Sequence, residues 1–164
     1  MASSKATKSI GKQAQIQCVW GHICTLSSID QERNNISLFN VIEQINVPTG
    51  AFEMHNKEKK PVLVNHPHEI VLLFRRTIGL YISTGQIAAD SKVQLVDPAG
   101  TILHETLIPF SFTEKARRFR SRIKNMGFLV TTPGDYVYRI EIKETNQESF
   151  NKLLEIPFEV VKKD

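Results

Sequence analysis

Tyr136-Val137-Tyr138-Arg139-Ile140-Glu141-Ile142-Lys143, directly after the breaker Pro133-Gly134-Asp135, repeats with a period of two. Tyr136, Tyr138, Ile140 and Ile142 fall on one side of an extended chain, and Val137, Arg139, Glu141 and Lys143 on the other. That is a strand with one core face and one wet face. Downstream, Leu154, Ile156, Phe158 and Val160 alternate with Glu155, Pro157 and Glu159 in the same way. Pro157 has no N–H to give a ladder, so an edge position is expected for this strand. Upstream, residues 118–124 and 128–131 read as separate strand segments. Asp97-Pro98-Ala99-Gly100 reads as a turn joining residues 92–96 to 101–110, with Pro preset at its second position and Gly able to take a positive φ. Residues 68–76, HEIVLLFRR, form an apolar run too short for a helix and fit a strand buried on both faces.

Further towards the N-terminus, residues 16–29 and 36–47 read as a hairpin around the polar turn at 30–35, and Pro48-Thr49-Gly50 stops its second strand. Residues 56–60 read as a charged loop. No segment sustains helical spacing; residues 110–116 and 145–153 offer a helical turn at most. The expected fold is therefore all-β: an antiparallel Greek-key sandwich of about eight strands with little helix, formed by residues 15–164 behind a flexible basic tail, 1–14.

The composition fits one domain with a sizeable core: 164 residues, 41% hydrophobic and 23% charged. No apolar run approaches the roughly 18 residues of a spanning helix, and no secretory signal opens the chain, so a cytoplasmic protein with no membrane partner is expected. The net charge of +4 is unevenly spread. The tail carries Lys5, Lys8 and Lys12 without an acid. The stretch 115–124 carries Lys115, Arg117, Arg118, Arg120, Arg122 and Lys124, also without an acid, and the remaining chain is net acidic.

Taken in order, ISLFNVIE at 36–43, VDPAG at 96–100, PFSF at 109–112, the basic strand and PGDYVYRIEI at 133–142 resemble a family of bacterial domains of unknown function predicted to be immunoglobulin-like β-sandwiches. The similarity runs from about Cys18 to Ile142. It implies the fold and supplies no catalytic residue.

The basic strand is the main candidate site. If it is extended, Arg118, Arg120, Arg122 and Lys124 share one face at intervals of about 6.6 Å, with Phe119 and Ile123 anchoring the other. Such a row is tolerated if acids on neighbouring strands, Glu141 for example, interleave with it; otherwise it fits a polyanion. Arginine favours bidentate contact with carboxylate or phosphate. Three readings follow: a face neutralised within the fold, an acidic protein partner meeting Arg117, Arg118, Arg120, Arg122 and Lys124, or nucleic acid. Strand edges also permit homodimerisation.

His66 and His68 lie at i, i+2 and would need further metal ligands such as His104 or His55 from distant strands; Glu69 points the other way. A metal-dependent sandwich enzyme using His66, His68 and His104 is the catalytic alternative to a non-enzymatic interaction module. Cys18, Trp20, His22 and Cys24 share alternation on the first strand. The cysteines, about 20 Å apart if extended at roughly 3.3 Å per residue, are expected to be free, buried thiols. Neither G-x-G-x-x-G nor a Walker pattern occurs, and no cofactor is expected. Tyr136 after Pro133-Gly134-Asp135 is placed to act as a tyrosine corner, with Asp135 available to a turn.

Overall fold

The structure, a computed structural model, describes residues 16–77, 86–113, 116–145 and 147–164. The basic tail and Lys115 lie outside them. The described residues form nine strands and one helix: β1 (Ile16–Asp30), β2 (Asn35–Val41), β3 (Gln44–Pro48), α1 (Thr49–Glu58), β4 (Val62–Arg76), β5 (Ile87–Val96), β6 (Ile102–Phe112), β7 (Arg118–Val130), β8 (Gly134–Glu144) and β9 (Asn151–Lys163). Two sheets pack face to face, with strand orders β2-β1-β4-β7 and β3-β9-β8-β5-β6. The fold is an all-β sandwich whose pairs are antiparallel except β3 with β9.

The alternation read at 136–142 holds: Tyr136, Tyr138, Ile140 and Ile142 are buried in one core with Ile156, Phe158 and Val160 of β9. Residues 68–74 are buried throughout, as their apolar run implies. Ile70, Leu72 and Phe74 face the core. Glu69, Val71 and Leu73 face outward, Val71 beneath Arg122 and His22 in the ladder. One aromatic group, Phe74, Phe110 and Phe119, stacks across the two sheets, with 4.8 Å between the Phe110 and Phe119 centroids.

Four expectations are corrected. Residues 36–47 are not one strand: the chain leaves the first sheet after Val41 and enters the second as β3. Residues 49–58, expected to be a stop followed by a loop, form α1, ended by Lys59 in the left-handed conformation. Its signal is faint because Phe52 is its only buried residue. Residues 118–124 and 128–130 belong to one continuous strand, and Thr131 lies just beyond its end. Finally, β9 is an edge only as far as Phe158, because β3 pairs with its last residues. Its inner neighbour β8 pairs with it from Ile142↔Asn151 to Gly134↔Val160, while β3 covers only residues 159–163. Pro157 lies just before β3 begins, so the ladder still meets no missing donor there.

The tyrosine corner is present. The Tyr136 hydroxyl accepts from Thr131 N–H (2.9 Å) and donates to the Thr132 carbonyl (2.8 Å). Thr131 in turn donates its hydroxyl to Asp97 (2.9 Å), whose other carboxylate oxygen accepts from Ala99 and Thr101 N–H across the expected turn. Gly100 takes the positive φ of 82° that the turn requires.

Candidate functional site

Strand β7 is the last strand of its sheet among the described residues, paired only with β4. Its inner row includes Phe119 and Ile123, both packed on the core. Its outer row contains Arg118, Arg120, Arg122 and Lys124, as the alternation requires. The ladder sets Arg75 opposite Arg118, Leu73 opposite Arg120, Val71 opposite Arg122 and Glu69 opposite Lys124. The acid that partners the strip is therefore Glu69. Glu141, the acid considered from sequence, lies in the other sheet and pairs with Lys92 at 3.4 Å.

Glu69 is only 4% exposed and forms a closed network. Ser27 donates its N–H (3.1 Å) and its hydroxyl to one carboxylate oxygen. Arg122 Nη2 lies 3.3 Å from the carboxylate and donates to the Ser27 carbonyl at 2.9 Å, and Lys124 Nζ lies 3.9 Å from Glu69. Burial pushes the Glu69 carboxyl up, but the Ser27 hydrogen bonds with Arg122 and Lys124 outweigh it and hold it below its ordinary value. Arg122 is thus part of the fold, and reversing its charge would set two carboxylates together.

The other end of the row is different. Arg120 donates to the Asn34 carbonyl (3.2 Å) and side-chain oxygen (3.4 Å), both neutral. Arg75 donates to Gln17, also neutral. Arg118 stands directly opposite Arg75, with no ion-pair partner among the described residues. Arg117 is exposed just before the strand.

The inner side of β7 borders a cleft of about 240 Å³ between the sheets, where β7 and β6 are the facing edges. Ile70, Val93, Leu95, Ile123, Phe128 and Tyr138 supply its apolar wall, with Asn125, His104 and Thr106 as polar groups. His68 lies behind it. Its Nδ1 is 2.8 Å from the His66 carbonyl, which only accepts, so Nδ1 carries the proton. Its Nε2 then accepts from the Tyr138 hydroxyl (2.8 Å) and the Asn125 amide (3.3 Å). Burial lowers the His68 pKa and keeps the ring neutral.

The bulge between Asn65 and His68 holds His66 and His68 on the inner side, with centroids 6.1 Å apart and both rings edge-on to Phe128. His104 hydrogen-bonds Thr106 on β6, and His55 Nδ1 donates to the Lys60 carbonyl behind α1. Among the described residues no three His, Cys, Asp or Glu side chains converge at metal-binding spacing.

A bulge at Val19 also breaks the alternation expected of β1. Cys18 pairs with core-facing Phe74, whereas Trp20 pairs with outward Leu73, so the two do not share a face. Both cysteines are free. Burial pushes Cys18 up to about 11 and raises Cys24 too, the reverse of an activated nucleophile. Sequence reasoning missed the cleft, because its walls come from five strands, and missed Glu69, because only the β4–β7 register brings it to Lys124.

No helix among the described residues is long and apolar enough to cross a membrane. Neither the protein-family models nor the curated proteins gave a match. Among solved structures, this chain is similar to one titled the C-terminal domain of wzt, with TM-score 0.53 and 10% identity over 93% of this chain and 77% of that one. A second, Pseudomonas fluorescens alkylpurine DNA glycosylase AlkC bound to DNA containing an abasic site analog, aligns over 90% of this chain and 30% of that one at 12% identity, with a TM-score of only 0.39. The likeness to the first is one of fold: a β-rich domain.

Proposed function

We propose that this chain is a non-enzymatic interaction domain that captures an acidic protein partner on the arginine end of β7. The observation that carries this reading is the direct opposition of Arg75 and Arg118 in the ladder. Like charges facing each other across antiparallel strands destabilise a sheet. Here Arg117 and Arg120 add to them, and the carboxylate of Glu69 is engaged further along the row by Arg122 and Lys124. A cationic cluster held against self-repulsion is a surface for an external anion, and guanidinium groups suit bidentate carboxylates.

The test is affinity capture from the native host's lysate at low and moderate salt, comparing wild type with Arg118→Glu, Arg120→Glu. Both substitutions spare Arg122 and so leave the Glu69 network intact. Loss of a partner in the variant, insensitive to nuclease, is the expected result. Identical partners would remove the strip from the account, and nuclease sensitivity would replace the acidic protein with nucleic acid.

A further inference from the structure

Around the β6/β7 cleft, three observations meet. Both flanking strands are sheet ends among the described residues, so alternate backbone N–H and C=O groups of β7 face away from β4 without a ladder partner. The lining is mostly apolar, and one of its side chains, Leu63 on β4, is 71% exposed. Lastly, β7 separates two chemistries with a period of two, cationic on the outer row and cleft-facing on the inner.

From these we infer that the cleft and β7 together bind an extended peptide segment in which acidic and apolar residues alternate, added to β7 as a further strand. This deepens the proposed function and rests on it: the partner is protein, and this is the segment it presents. A strand laid on β7 sends every second side chain to the outer row, where Arg118 and Arg120 have no ion-pair partner among the described residues, and the rest inward. Acids match the first set. Large aliphatic or aromatic side chains match the second, because the cleft between Ile123, Leu95 and Phe128 has room for a side chain and is lined mostly by carbon. A second copy joining β7 to β7 is disfavoured, since it would place two arginine rows side by side.

The experiment uses the full chain and a fluorescein-labelled peptide, Leu-Glu-Val-Glu-Leu-Glu-Val-Glu-Leu, read by anisotropy. Controls carry Lys for every Glu, or Ser for every Leu and Val. Binding at least tenfold tighter than either control is expected. Peptides N-methylated at alternate residues should separate into one register that abolishes binding and one that does not, the signature of a ladder. Thr106→Phe, which fills the cleft, should weaken binding at least tenfold while leaving the melting temperature unchanged or higher.

Equal binding of the Ser control, indifference to N-methylation, or full affinity in Thr106→Phe would overturn the inference. So would no binding by any peptide. If Arg118→Glu, Arg120→Glu still loses its captured partner in any of those cases, the arginine face stands and only the strand-addition mode falls. If capture and peptide binding are both unaffected by the charge reversal, the underlying reading falls as well.

Discussion

At the scale of single residues, Glu69 and Tyr136 show how side chains remote in sequence fix this sandwich. Glu69 is a buried carboxylate whose pKa is held down by Ser27, Arg122 and Lys124. A carboxyl with a lowered folded pKa contributes stability that is present above the unfolded value, roughly 4.3, and lost as pH falls through the folded value. Glu69→Gln is therefore expected to cost roughly 1.5–3 kcal/mol near neutral pH, the value of hydrogen bonds to a charged group. In urea unfolding at stepped pH, the gap from wild type should narrow on acidification below the ordinary carboxylate range. A gap constant with pH would mean that the charge of Glu69 contributes nothing.

Tyr136→Phe removes the hydroxyl that serves Thr131 and Thr132 and leaves buried backbone groups short of partners. The expected loss is about 1–3 kcal/mol by denaturant midpoint, with partner capture unchanged. The corner was legible from Pro133-Gly134-Asp135-Tyr136 because it depends on local spacing. The Glu69 network was not, because it depends on a register between strands more than 50 residues apart.

Among the elements, β7 repays comparison with its sequence reading. Asn125-Met126-Gly127 breaks the hydrophobic pattern and reads as a gap between two segments, yet the strand runs through. Gly127 is required there by close approach: a Cβ at this position would lie 2.3 Å from the Val64 carbonyl oxygen, beside the β4 bulge. Gly127→Ala must push backbone rather than a pliable side chain, and a destabilisation of about 1–3 kcal/mol is expected in thermal or urea unfolding. A neutral outcome would show that β4 and β7 separate freely at the cleft. Helix α1 and strand β3 escaped the sequence for different reasons. α1 buries one residue and has almost no apolar stripe to detect. β3 has ordinary strand alternation, with Ile45 and Val47 inward, and nothing local says which sheet it joins.

For the whole molecule, alternation in β8 and β9 was enough to predict two sheets around one core, because burial on one face is a local property of each strand. What it could not supply was the order of strands, and the order is what creates the candidate site. Among the described residues, placing β7 at the end of its sheet leaves its arginine row uncovered on one side and opens the cleft against β6 on the other. The pairing of β4 with β7 then neutralises one half of the row and opposes arginine to arginine in the other.

The central claim is that this second half is kept for something outside the fold. Urea unfolding of Arg118→Glu against wild type at low salt tests it without knowledge of the partner. A glutamate facing Arg75 replaces repulsion with attraction, and the account predicts a gain of roughly 0.2–1 kcal/mol that shrinks at high salt. A loss of stability would contradict it, by showing that Arg118 serves the sandwich itself.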